Sequence, residues 1–426
     1  MKLPYLKSAL LALLISLSLN ARAESSALEQ RLDQMQKEIE NLKKQLAKEK
    51  SVRQEQVSAV QTTTQTIRSE ASATTIGGYG EAVYNNYRNK SVKDEADLRR
   101  FVLFFGHRFN DKLRLYSELE VEHALVESGQ GELALEQAFI EYNLHPNINL
   151  RAGLMLMPLG LLNETHEPPT FYGVERNEVE TRILPSTWRE LGVGLQGNVL
   201  DGLEYNVGVS TSLDASKYKN ASNSYASSGI RSLRSEGFQA AANDLALYAG
   251  LNYRQPGWLI GGGVFTGNTA QNGLGSTSST ALQGKDARVT LWDIHGKYSL
   301  GNFDLQALYA RGTLGDTSAI NEAAGIVAGA DNNAAPKSFW GGYGQVAYHV
   351  WKKGEMRLTP FVRYERYNTQ ASVDPGFTKD LNNNERVITT GANFNLSRDV
   401  VIKADWQNYQ QDNRKDRFNL GVGYMF

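Results

Sequence analysis

The sequence predicts an all-β transmembrane barrel of about sixteen antiparallel strands, preceded by a short N-terminal helical coiled coil. Three observations carry this expectation. From Thr75 onward apolar side chains recur at every second position with polar or charged residues between them. Such segments return again and again, separated by alternately short and long connections. The chain also closes on one, "DRFNLGVGYMF", in which Phe418, Leu420, Val422, Tyr424 and Phe426 share one side and Arg417, Asn419, Gly421 and Gly423 the other.

Composition agrees. Of 426 residues, 41% are hydrophobic and 10% aromatic, and 39 glycines against 10 prolines suit many tight turns better than helices. No window of eighteen apolar residues follows the first twenty, which excludes a bundle of membrane-spanning helices. There are no cysteines, so disulfides supply none of the stability.

In chain order, residues 1–23 read as a secretory signal peptide: Lys2 and Lys7, an apolar run from Ala9 to Leu19, and Ala21-Arg22-Ala23 as the cleavage site. Its removal leaves 42 basic against 46 acidic residues, a balance that argues against nucleic-acid binding. Residues 24–50 carry Leu28, Leu32, Met35, Ile39, Leu42 and Leu46 at spacings of 4, 3, 4, 3 and 4. That is the seam of a short coiled coil, or of one amphipathic helix lying on a neighbour. Residues 51–74 are a polar linker.

The barrel is expected from residue 75 to residue 426, with strands near 75–86, 97–109, 112–124, 132–144, 147–157, 188–199, 202–213, 243–254, 257–267, 286–299, 302–313, 339–351, 355–368, 384–396, 399–410 and 416–426. Glu118, Glu120 and Glu122 share a face opposite Leu115, Leu119 and Val121, so that face meets water and not a core. "NDK", "LDG", "RQPG" and "LGN" are tight turns, and the long connections between them belong on the outer side of the membrane. Both barrel ends and the coiled coil then fall on the periplasmic side. Gly77-Gly78-Tyr79-Gly80 lacks the helix and lysine of a phosphate loop, and reads instead as a bend or a thin stretch of wall.

Loop 158–187 is long, holds four prolines, and is acidic: Glu164, Glu167, Glu175, Glu178 and Glu180 against Arg176 and Arg182. A loop of this length is usually functional. It either folds inward to narrow the pore or caps the outside.

"GHRFNDKLRLYSELEVEHA", "LEQAFIEYNL", "RAGLMLMPLGLLNETHEPPTFYGVERN", "PSTWRELGVGLQG" and "GIRSLRSEGFQAAANDLALYAGLNY" resemble the phosphate-selective porin O and P family. The resemblance implies a homotrimer of sixteen-stranded barrels surrounded by outer-membrane lipid, each with its own pore. It also implies a ladder of inward arginines for phosphate or another small anion. Tyr424 and Phe426 resemble the C-terminal signal read by the barrel assembly machinery.

Parity points Arg100, Arg108, Arg114, Arg151, Arg357, Arg363 and Lys403 inward, with Arg189 on the strand that follows the loop. An anion that sheds water needs fixed donors, and Arg offers a permanently charged fork. Glu118, Glu120, Glu122, Glu365 and Asp405 lie on the same faces and dilute the ladder. Arg231 and Arg234 of "GIRSLR" are read as a solvated outer-loop pair, or as a lure for anions at the mouth. The six histidines, His107, His123, His145, His166, His295 and His349, show no metal-ligand spacing, so neither metal nor cofactor is expected. The expected function is passive diffusion of small hydrophilic anions, phosphate first, with a general-diffusion pore of weak or cation preference as the alternative. An outer-membrane enzyme, for which no catalytic grouping can be placed, or a structural tether with a closed lumen, are further alternatives.

Overall fold

The computed structural model describes residues 73–127, 130–218, 229–329 and 332–426. The expected signal peptide and coiled coil, with nearly all of the linker, lie outside them.

The strands are β1 (Thr74–Tyr87), β2 (Glu95–Arg108), β3 (Leu113–Glu127), β4 (Gln130–His145), β5 (Ile148–Leu156), β6 (Arg189–Leu200), β7 (Leu203–Thr211), β8 (Leu245–Gln255), β9 (Trp258–Asn268), β10 (Arg288–Leu300), β11 (Phe303–Leu314), β12 (Ser338–Tyr348), β13 (Trp351–Lys353), β14 (Met356–Ser372), β15 (Asn384–Asn395), β16 (Val400–Tyr409) and β17 (Arg417–Met425). Each pairs antiparallel with its neighbour in sequence, and β17 returns to β1. Both β12 and β13 pair with β14, so they are two pieces of one stave. The closed barrel therefore has sixteen staves.

The break falls at His349 and Val350, inside what the alternation predicts as one strand. Backbone bonding survives it through His349 N–H to the Asn302 carbonyl (2.9 Å) and Val350 N–H to the Leu358 carbonyl (3.1 Å). At the other rim β14 runs past the expected residue 368, because Ser338 pairs with Ser372 across a bulge. Closure satisfies the backbone groups of the first and last strands without leaving an edge in lipid.

Side-chain alternation sets inside from outside. On β16 Val401, Lys403, Asp405, Gln407 and Tyr409 are buried while Ile402 and Trp406 are exposed, and on β17 Phe418, Leu420 and Val422 are exposed opposite the buried Asn419. Outward-facing Tyr253, Trp258, Tyr298, Phe303, Tyr348 and Trp351 are all exposed and lie beside the short turns, where an aromatic girdle meets the membrane interface. The turns are tight because glycine takes a left-handed backbone in them, as at Gly202 (φ +80°) and Gly257 (φ +88°). No helix among the described residues is long and apolar enough to cross a membrane.

The seam is carried to the last residue. Phe426 N–H and C=O both pair with Gly78, at 2.9 Å each. Gly80 stands opposite Tyr424, whose ring would collide with a Cβ there, its Cζ lying 2.7 Å away. The Gly77–Gly80 run is thus a thin stretch of wall over which the closing aromatics lie.

Candidate functional site

The connection between β5 and β6 turns into the barrel. Met157 N–H donates to the Trp188 carbonyl (2.9 Å) and closes its neck. Asn163 clasps both sides, its amide donating to Met157 O (2.7 Å) and Trp188 O (2.9 Å) while its oxygen accepts from Trp188 N–H (2.6 Å). Between Met157 and Trp188 only Glu164 is exposed, which a loop standing in outer solvent could not achieve.

Glycines mark the path of this loop over the wall. A Cβ on Gly250 would sit 2.8 Å from the Pro158 Cβ, one on Gly341 2.9 Å from Ile183, and one on Gly421 3.0 Å from Val174. At Gly423 it would overlap Pro168. The bare inner face of the closing strand is therefore the floor on which the loop rests, since glycine in a strand permits close approach of another backbone.

At its far end the loop is stitched to the opposite wall. Lys403 Nζ donates to Gly173 O (2.8 Å) and lies 3.6 Å from the centre of the Phe171 ring; Arg363 donates to Tyr172 O (3.0 Å) and pairs with Glu365 (3.0 Å). Asp405 accepts from Val174 N–H (2.6 Å) and Glu365 from Glu178 N–H (2.7 Å). The charged side chains of the wall therefore meet the loop through its backbone carbonyls and N–H groups. Glu180 turns back into the loop, accepting from Leu161 N–H, from Leu162 N–H (3.2 Å) and from Asn177 (2.8 Å). Arg182 pairs with Glu178 within one helical turn, Val179–Arg182.

Glu175 is held by Arg99 (3.1 Å) and Asn85 (2.9 Å), and Glu178 accepts from Tyr409 (2.7 Å). Burial alone would push the Glu175 carboxyl up, but Arg99, Arg417 and the Asn85 hydrogen bond together outweigh it and hold it at about 2. At Glu178 burial likewise pushes up, and Arg182, the Tyr409 hydrogen bond and Arg417 together outweigh it, so this carboxyl also lies at about 2. Both carboxyls are depressed from an ordinary 4.5, so the docking they provide is complete above pH 4.5 and is lost as pH falls toward 2. Unit conductance in planar bilayers is expected to stay level from about pH 8 to 4 and to change as the pH falls toward about 2. A trace that stays level through about pH 2 would contradict this role for the two carboxylates.

The remaining basic groups divide into two sets. Arg100 is paired with Glu81 (2.8 Å) and Glu120 (3.2 Å), and Arg151 with Glu141 (2.8 Å) while lying over Phe139. With Arg363 and Lys403 they are committed to the wall or the loop. Arg176, Arg114, Arg357 and the lumen-facing Lys297 form no ion pair with any described residue. Arg176 is half-buried, with one bond to His166 O (3.4 Å) and its Nε unpartnered. Arg108 is exposed in register with Arg114 at the short-turn rim.

Arg231 and Arg234 are not a solvated pair. Both are half-buried against the loop neck: Arg231 bonds Ser186 O, and Arg234 bonds Thr187 O (3.1 Å) and Glu236 (2.5 Å). Burial, and then Arg234 beside it, press the Arg231 guanidinium down to about 9. Arg189 joins them, with its nearest carboxylate oxygens at 3.8 and 3.9 Å, on Glu236 and Glu132. Element order then places uncommitted or crowded cations at three levels. Arg189, Arg231 and Arg234 stand at the long-loop rim, Arg176 on the inward loop, and Lys297, Arg357 and Arg114 near the short turns.

Two important residues escape the alternation. Arg99 turns inward because Ala82 faces two β2 residues, the pairing jumping from Glu81–Arg100 to Val83–Asp97. Glu136 does so because Glu118 pairs with Gln137 and Leu119 with Leu135, leaving it as the extra residue of a bulge. The second bulge also brings together residues that spacing along the sequence keeps apart: Glu118, Glu136 and His166 each hold one ligand-type atom within 4.8 Å of the others. Glu167 is buried nearby in the loop, with its Oε2 unpartnered.

The model of the family described as "Phosphate-selective porin O and P" matches residues 77–420. A protein of Aquifex aeolicus (strain VF5), itself described as uncharacterized, is 32% identical over 363 residues, covering 82% of this chain and 79% of that protein. Among solved structures the chain resembles OmpF of Salmonella typhi in complex with daunomycin (TM-score 0.54, 13% identity, 83% of this chain and 97% of that one). It also resembles the outer-membrane channel DcaP of Acinetobacter baumannii (TM-score 0.50, 14% identity, 83% and 97%), and these two likenesses bear on the fold alone.

Proposed function

The chain belongs to the phosphate-selective porin O and P family, an outer-membrane porin, and we propose on that footing that it conducts small hydrophilic anions, phosphate first, by passive diffusion past the loop 158–187. The observation that carries this is Arg176, a half-buried guanidinium on the inward loop to which no described carboxylate is paired. Arginine groups above and below it extend the favourable potential along the lumen. Successive weak sites suit conduction better than one tight site, because the ion must also leave. The family resemblance further supports a homotrimer, with residues 24–50 as a periplasmic coiled coil that sets its register.

The zero-current potential of the reconstituted channel in a potassium chloride gradient tests this. A sign favouring chloride is expected, together with block of the chloride current by low concentrations of phosphate. A general-diffusion pore of cation preference is favoured by Glu118, Glu120, Glu136 and Glu167, and it would reverse the sign.

A further inference from the structure

We propose that Glu118, Glu136 and His166 form a binding site for a divalent transition-metal cation that ties the root of the inward loop to the barrel wall. Zinc is the natural probe, because one imidazole and two carboxylates suit it, with a water free to complete a tetrahedral set.

The argument starts from charge. Glu136 is fully buried, and no Arg or Lys among the described residues comes within ion-pair distance of it, of Glu118 or of Glu167. Arg100 is taken by Glu81 and Glu120, and Arg176 bonds the His166 carbonyl. Glu118 Oε2, Glu136 Oε1 and Glu167 Oε2 are buried without a partner. Carboxylates left in this state are costly unless a cation joins them. His166 supplies at most one positive charge against three negative ones.

Geometry agrees. His166 Nδ1 lies 3.0 Å from the Asn163 carbonyl, which can only accept, so Nδ1 carries the proton. The neutral ring then aims the Nε2 lone pair at Glu136 Oε2, 3.3 Å away. Two lone pairs facing one another require either a second ring proton or a cation between them. Ligands about 2.0–2.2 Å from zinc in a tetrahedron stand roughly 3.3 Å apart, which is the spacing of the His166–Glu136 pair, while the Glu118 oxygen lies within 4.8 Å of both. The Nδ1–H bond to a backbone carbonyl is also the support that orients metal-ligating histidines. Gln137 donates to Glu118 Oε1 (2.7 Å) and leaves Oε2 free to ligate. The β-bulge leaves Glu136 as the extra residue beside Glu118, whose register partner is Gln137.

The test is titration of zinc into the metal-stripped, tag-free mature barrel in detergent at neutral pH. One saturable site per chain, of about micromolar affinity or tighter, is expected, and Glu136→Gln and His166→Gln should each weaken it by roughly tenfold or more. Heat-modifiable migration of each variant separates loss of a ligand from loss of folding. Cobalt loaded into the unmodified protein should show the visible bands of a low-coordinate nitrogen and oxygen site, and about one equivalent of zinc should displace it. Absence of saturable zinc binding by the unmodified protein would overturn the site and leave His166 as an imidazolium paired with Glu136. Unchanged affinity in both folded variants, or a hexa-aqua cobalt spectrum, would overturn it equally.

Discussion

Deletion of Phe426, or its replacement by aspartate, is expected to remove the heat-modifiable barrel from outer-membrane fractions and leave degraded or unfolded chain in the periplasm. Phe426 closes the seam with two backbone bonds to Gly78, and its ring lies on the lipid side, stacked 6.2 Å from Phe101. Two net hydrogen bonds are worth about 1–3 kcal/mol. A charge on the lipid face adds roughly 0–1 kcal/mol near an interface and up to ~4 at the midplane. A closed sheet of sixteen staves could tolerate that loss once folded, so the large effect must act during assembly, where the resemblance assigns this residue to recognition by the assembly machinery. Phe426→Leu separates the two contributions. It keeps the seam bonds and an apolar face but lacks the aromatic ring, so it should refold normally in detergent yet reach the outer membrane poorly. Full assembly of Phe426→Asp in cells would reject both arguments.

The strand count was legible in the sequence because a lipid-facing and a water-facing side must alternate at every residue of a barrel wall. The same rule reads the lumen only where pairing is regular. Arg99 and Glu136 were invisible to it, since each stands in a bulge that puts an extra residue on the inner face. Parity also cannot say which inward arginines are free. Arg100, Arg151, Arg363 and Lys403 all point inward as expected, yet each is bonded to a carboxylate or to the loop. Those partners come from strands or a loop distant in sequence, and only closure of the barrel brings them together. Inward glycines at Gly250, Gly341, Gly421 and Gly423 trace in the sequence itself the line along which the loop lies.

Charge selectivity is therefore expected to follow the uncommitted arginines and not the inward arginines as a class. Arg176→Glu should move the zero-current potential in a salt gradient strongly toward cations. Replacing Arg189, Arg231 and Arg234 together with glutamine should produce a smaller shift in the same direction. A unit charge about 5 Å from a passing ion contributes roughly 1 kcal/mol if the lumen behaves as bulk water and ~3 kcal/mol at an effective dielectric constant of 20. With water present the lower figure governs, so a permeability ratio changed by about fivefold is the expected size for one neutralised charge. The rim cluster acts less strongly because the Debye length at physiological salt is about 8 Å and its groups are partly matched by Glu236. The decisive control is the pair Arg151→Gln with Glu141→Gln. It removes an inward arginine and its bonded carboxylate together, leaves the net charge of the wall unchanged, and should leave the reversal potential where it was. A shift from this control as large as that from Arg176→Glu would show that the filter follows the whole arginine ladder, and the assignment of selectivity to the loop would have to be abandoned.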